Sequence, residues 1–408
     1  VDGFSYLWDT SATTLPDTTK DAEQDATGTT SPSLSDGDSH YFHLRTRDNA
    51  GNWTSTVHLG PFWIDTTNPT DPSASSSSHT TSTWSNDPTV DVTWTGAADA
   101  TSGVDGFSYT WDTSPTTTPD TTKDAEEGAT GTTSPSLSTG QTHYFHLRTR
   151  DNAGNWTSTV HLGPFWIDID APAAPTPNDT DPDSPANNTT PMVKGVAEAG
   201  STVKLYPNVD CTGAPVATGT AEAFASPGLG VTVANGSTTV FRATATDPAG
   251  NTSGCSGNSI TYVEAMFRPD ALIRVGSGAF IGDDVYETTP VTQKKSAKAT
   301  RGQTKTFTVR VENDGNVTDS YKLKGKGGSA DWVVKYLFGG NNVTSQVVAG
   351  TFSLAGLVPD GTGQISVKIK PKSSASIGSS RSVPITVTSD GDAVVKDAVK
   401  AKVTVKRG

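Results

Sequence analysis

His143–Ser158 reads HYFHLRTRDNAGNWTS, and the same sixteen letters stand at His40–Ser55. The stretch has two halves. In the first, Phe145, Leu147 and Thr149 alternate with Tyr144, His146, Arg148 and Arg150, which is the period of a strand with one buried and one wet face. The first set is expected inward and the second outward. The other half, Asp151-Asn152-Ala153-Gly154-Asn155, is turn chemistry: Asp and Asn bond their own backbone, and Gly and Asn tolerate positive φ. Asp247-Pro248-Ala249-Gly250-Asn251 repeats the turn further on. The stretch therefore predicts a strand that runs into the turn joining the last two strands of a sandwich, more than once in the chain.

Outward from this stretch, Val1–Asp65 and Val104–Asp168 agree at all but eight positions (Leu7, Ala12, Leu15, Gln24, Asp25, Asp36, Asp38 and Ser39 are replaced), so the chain carries a tandem repeat. Val90, Val92 and Trp94 alternate with polar residues, as do Phe107, Tyr109 and Trp111, and a last strand is expected through Val160, Leu162, Phe165 and Ile167. Helical spacing is nowhere sustained. With 408 residues, 33% of them hydrophobic, and with 40 Gly and 25 Pro, the chain suits several small cores with constant punctuation. Val1 corresponds to Val104, whereas the unit that holds Val104 opens near Thr66. The expectation is that this is the C-terminal part of a longer protein and that residues 1–65 form a partial module without its first two strands.

The segments VTWTG, VDGFSYTWDTSP, HYFHLRTRDNAGNW and LGPFWID resemble the bacterial form of the fibronectin type III module, a seven-strand immunoglobulin-like sandwich. The resemblance implies that Trp94 packs in the core, and it puts His143 where the family usually has its corner Tyr. Residues 66–168 are then one complete module. Residues 169–265 open on a Pro- and Asp-rich connector and continue with MVKGVAEAGSTVKLY and STTVFRATATDPAGNTSGCS, which resembles the bacterial Ig-like domains of large secreted surface proteins. Residues 266–408 alternate cleanly and read as a further Ig-like sandwich. The fold class expected is all-β: tandem immunoglobulin-like or fibronectin type III-like sandwiches, beads on a string.

Charge divides the chain unevenly. Residues 266–408 carry a net +9 and the remainder −22, within a total of −13. There is no run of apolar residues long enough to span a membrane. No Gly-x-Ser-x-Gly elbow, His-Glu-x-x-His or phosphate-binding glycine loop is present, so no catalytic residue is expected. The only two cysteines, Cys211 and Cys255, are expected to form a disulfide in an oxidising compartment, two free thiols being the alternative.

Three further sets of residues are candidates. The acids Asp65, Asp71, Asp168 and Asp170 stand where one module passes into the next, with Asp151 in the adjoining turn. Carboxylates gathered there suit calcium, which takes six to eight oxygens, while ordinary solvated linker chemistry is the plain alternative. Lys294, Lys295, Lys298, Arg301, Lys322, Lys324 and Lys326 form the densest cationic group, suited to a polyanion such as an anionic glycan or wall polymer. A solvated, edge-protecting surface is the alternative there, and without interleaved aromatics nucleic acid is not expected. The histidines His40, His43 and His58, their counterparts His143, His146 and His161, and His79 are expected to face solvent or sit at corners. Together these readings describe a secreted, extracellular, non-catalytic stalk, adhesive or structural, with a basic end. The rivals are the accessory tail of a polysaccharide-degrading enzyme and a subunit of a filament built from copies of itself.

Overall fold

Short alternating segments close into sheets throughout, and only two helices form, Ala221–Ala225 and Thr344–Ala349. The computed structural model describes all 408 residues. They separate into two compact units, Val1–Pro172 with Thr246–Thr252, and Ala173–Ala245 with Ser253–Gly408.

In the first unit the second repeat copy is a complete sandwich. One sheet runs in the order Trp84–Ser85, Val160–Ile167, Thr142–Asp151, Val104–Asp112, Ala125–Glu126. The facing sheet runs Gly131–Thr133, Asp91–Thr95, Ser73–Ser76. Val90, Val92 and Trp94 from the second sheet meet Phe107, Phe145, Leu147, Phe165 and Ile167 from the first, and each such side chain contributes about 1.5–3 kcal/mol by leaving water. Trp94 sits among Phe107, Tyr109 and Phe145, with ring centroids 5.3–6.1 Å away. Beside it, the ladder between Thr142–Asp151 and Val160–Ile167 slips register between His143 and Phe145. Gly163 sits opposite this slip at φ +147, where a Cβ would stand 2.7 Å from the Tyr144 ring and 2.9 Å from the His143 carbonyl oxygen. Only glycine allows so close an approach.

The first copy repeats the larger sheet in the order Ala22–Glu23, Gly3–Asp9, Ser39–Arg47, Val57–Trp63, with no second sheet over it. Phe4, Tyr6, Trp8, Phe42 and Leu44, which face inward by pattern, are only half-buried. With Leu59 they line a cleft of about 480 Å³.

The outward set of the opening stretch needs a correction. His43 and His146, expected to face solvent, are fully buried, whereas His40 and His143 are nearly buried and sit at corners, one of the two placements expected, and His58 and His161 are exposed. The segment after the strand Val104–Asp112 folds back over the outer face: Arg148 donates to the Pro119 carbonyl at 3.3 Å, and Asp112 Oδ1 lies 3.1 Å from His146 Nε2. His143 donates from Nε2 to the Ser138 carbonyl at 2.9 Å, so the imidazole ties down its own corner.

The second unit holds two sandwiches. In the first, sheets ordered Thr176–Asp181, Met192–Val196, Leu229–Gly230 and Ala217–Thr220, Thr202–Tyr206, Thr238–Thr246, Ile260–Val263 enclose Val203, Leu205, Phe224, Phe241 and Tyr262. The Cys211–Cys255 disulfide joins residues 44 apart in sequence, which in the loop-entropy model adds about 3–4 kcal/mol. In the second, five strands ordered Pro269–Val275, Lys305–Asn313, Thr362–Pro371, Trp332–Phe338, Asn341–Asn342 face five ordered Lys294–Ala299, Lys396–Val405, Ser380–Ser389, Asp319–Gly325, Phe352–Leu357. This is the largest core of the molecule, built around Phe307, Tyr321 and Tyr336.

Candidate functional site

The repeated turn closes on itself and then reaches outward. Asp151, fully buried, accepts the Gly154 and Asn155 N–H groups on Oδ1 at 2.7 and 2.8 Å and the Asn155 side-chain amide on Oδ2 at 2.9 Å. Gly154 takes φ +100, which the turn requires. The Asn155 amide also donates to the main-chain oxygens of Asp65 at 3.1 Å and Thr67 at 3.4 Å, the segment that ends the preceding repeat. Asp247 holds Gly250 and Asn251 in the same way, and in the same compact unit Asn251 donates to the Asp168 carbonyl at 2.8 Å. In the second unit Asn313-Asp314-Gly315-Asn316 plays a similar part. Asn316 donates to the carbonyls of Glu264 at 2.8 Å and Gly236 at 2.9 Å, and accepts the Met266 N–H at 2.8 Å. Asp65, Asp168 and Glu264 each directly follow, or fall just past, the last strand of a module. The terminal asparagine of the turn is thus a clasp on the preceding strand end. Sequence reasoning found the turn and missed the clasp, although the final Asn of each phrase was its signal.

Tryptophan completes the phrase. The Trp156 ring lies under the guanidinium of Arg148 at 4.7 Å and of Arg150 at 5.8 Å, and Trp53 does the same for Arg45 and Arg47. Such contacts contribute about 0.5–1 kcal/mol at exposed sites.

Of the junction acids, Asp65 and Asp151 come together with Asp99, carboxylate oxygens within 4.8 Å of one another. Asp99 was not expected. Burial works against its charge, yet the N–H groups of Gly103, Ser102 and Thr101 hold the carboxyl below the ordinary carboxylate range. Asp65 Oδ2 is buried without a partner. Asp71 is spent on the Ser158 hydroxyl at 2.5 Å, and Asp168 on the Asp170 N–H at 3.1 Å; neither Asp168 nor Asp170 joins the cluster. Since Asp151 gives both oxygens to its own turn and Asp99 binds three N–H groups, the cluster reads first as turn architecture.

The lysines gather more fully than their spacing suggests. Lys294 and Lys298 point out from the edge strand Lys294–Ala299, whose parallel neighbour sets Lys400 opposite Lys294 and Lys402 opposite Ser296. Across the same sheet Lys396 faces Thr388, which faces Lys322, and Lys324 stands on the same side two residues along. The outer face therefore carries Lys294, Lys298, Lys322, Lys324, Lys396, Lys400 and Lys402 among Ser and Thr. Lys322 is paired with Asp390 at 2.7 Å. Lys295 falls on the opposite parity, Arg301 lies beyond the strand with its Nε on the Ala375 carbonyl at 2.8 Å, and Lys326 lies past the strand end. Lys400 and Lys402 were legible as an alternating pair in DAVKAKVTVKRG and only pairing of distant strands added them to the face.

Comparison with known proteins finds no family model and no curated protein that matches. Solved structures are similar in part. Domains 1–6 of the surface layer protein SbsC align with all of this chain and half of theirs at 12% identity, TM-score 0.21. BcpA, the major pilin subunit of Bacillus cereus, aligns over 51% of this chain and 65% of its own at 12% identity, TM-score 0.22. Immunoglobulin domains 1–5 of Sidekick-1 align over 91% and 68% at 10% identity, TM-score 0.25. The chain spans half the length of the surface layer structure it matches. Overlap of this degree is common to strand-built modules and transfers no function. No helix is long and apolar enough to cross a membrane.

Proposed function

We propose that this chain is an extracellular, non-catalytic structural segment in which each clasped turn fixes one module to the end of the strand before it, and in which the lysine face of the C-terminal sandwich docks on an anionic polymer. The recurrence of the clasp at Asn155, Asn251 and Asn316 carries the reading, because a bond made in the same way at successive junctions serves succession itself. The disulfide supports an oxidising compartment. Seven outward lysines on one sheet face supply a field that attracts polyanions, and an anionic glycan or wall polymer is the partner class it suits.

The docking half is tested with dextran sulfate and neutral dextran as probes. The wild type should bind the sulfated polymer alone, with affinity falling as salt rises toward a Debye length of about 3 Å near 1 M. The triple variant K294E/K298E/K400E should lose binding while melting as the wild type does. Binding that survives the triple charge reversal, or equal binding to the neutral polymer, would remove the lysine face from the account.

A further inference from the structure

The C-terminal sandwich holds a second acidic group, on the sheet opposite the lysines and at the end where its net positive charge gives no hint of it. Asp270 and Glu312 are directly opposite each other on the antiparallel strands Pro269–Val275 and Lys305–Asn313. Like charges so placed repel. The loop that follows the first strand then brings a third acid to them. Ile281 pairs back on Ile273 through both backbone bonds, at 2.9 and 3.1 Å. Gly282 at φ +107 turns the chain where a Cβ would stand 2.6 Å from Gln293 Oε1 and 2.8 Å from the Ala271 carbonyl oxygen. As a result Asp283 sits with carboxylate oxygens of Asp270 and Glu312 all within 4.8 Å of one another.

Asp270 is 1% exposed. Its Oδ2 accepts the Asp284 N–H at 3.0 Å, and its Oδ1 is buried with no hydrogen-bond partner. Counter-charge is short. Arg310 reaches Glu312 Oε1 through Nε at 2.7 Å and comes only to 4.0 Å from Asp283. Arg268 lies over the Tyr286 ring at 3.9 Å. Asp284 and Asp314, which share the Tyr286 hydroxyl at 3.1 and 2.5 Å, add further negative charge nearby. A buried carboxylate oxygen with no donor, in a ring of acids, is costly unless a cation completes it.

We propose that Asp270, Asp283 and Glu312 form a divalent-cation site of calcium type. The donor set is oxygen alone, which excludes the softer metals that prefer imidazole or thiolate. Calcium–oxygen distances of about 2.3–2.6 Å let two ligands stand nearly 5 Å apart across the ion, whereas magnesium demands a tighter octahedron. Bound there, the ion ties the loop Gly276–Gln293 to the two strands beneath it. The site is independent of the structural reading above and distinct from the acids at Asp65, Asp99 and Asp151.

Calorimetric titration of the chelator-stripped full chain with calcium tests it. We expect binding in the range of extracellular modules, on the order of 10⁻⁴–10⁻³ M. Asp283→Asn, an exposed change that leaves the core intact, should weaken binding at least about tenfold, and Asp270→Asn should abolish it together with the rise in melting temperature that calcium gives the wild type. Asp65→Asn should leave both unchanged. Absence of calcium binding in the wild type, binding indifferent to Asp283→Asn, or binding lost through Asp65→Asn instead would each overturn the assignment.

Discussion

The two repeat copies are nearly the same sequence in two different situations. Phe145 and Leu147 are fully buried in the second copy, while their counterparts Phe42 and Leu44 in the first are half-open. The strands, the register slip and the buried histidines recur in both. What differs is the facing sheet with Val92 and Trp94, which covers one copy and not the other. Local structure therefore follows from the repeated letters, whereas the depth of the core depends on what lies across from them.

Matched substitutions sharpen this contrast. Phe145→Ala should cost about 3–5 kcal/mol, the usual range for a buried aromatic, while Phe42→Ala should cost less than about 2 kcal/mol, since much of its surface is already wet. Urea unfolding followed by tryptophan fluorescence measures both, and equal losses would mean that the first copy's core is closed in solution.

A smaller effect separates the two turns. Asn155→Ala removes a bond within the turn and the clasp on Asp65 and Thr67, a net loss of about 1 kcal/mol together with broader small-angle scattering as the junction loosens. Asn52 reaches only Asp48 through its side chain, so Asn52→Ala should leave scattering unchanged. If both variants scatter alike, the clasp does not set the junction.

The smallest effect is in pH. His161 Nδ1 lies 2.7 Å from His146 Nδ1, and burial first, then the charge of His146, holds the His161 imidazole below its ordinary range. The unfolded ring therefore takes up its proton first, so stability is complete above about pH 6.5 and is lost as pH falls through the lower folded value. The ring is largely exposed, so the loss should stay below about 1 kcal/mol. Thermal melts between pH 7 and 5 should show the decline in the wild type and not in His161→Gln; a flat wild-type profile would contradict the assignment.

Much of this was legible before folding was considered. Period-two rows named Phe145, Leu147 and Trp94 as core, and Asp-x-Ala-Gly-Asn named the turn, because alternation and turn geometry are properties of adjacent residues. The histidine burial was not legible, since the partners of His146, Asp112 and His161, lie on the two neighbouring strands. Nor was the partner of Asn155, which lies at Asp65, nor the meeting of Asp270 with Asp283 and Glu312, which stand 13 and 42 residues away along the chain. Each of these depends on chain segments that find each other only through a strand ladder or a loop.

The amino-acid sequence alone determined the strands, the turns and which side of each strand is apolar, because those depend on side-chain order over a few residues. Tertiary structure alone decided which carbonyl an asparagine grips, which lysines share a face and which carboxylate is buried without a donor. These depend on distances between segments far apart in the chain, and only the closed sheets bring those distances within reach of a hydrogen bond or an ion.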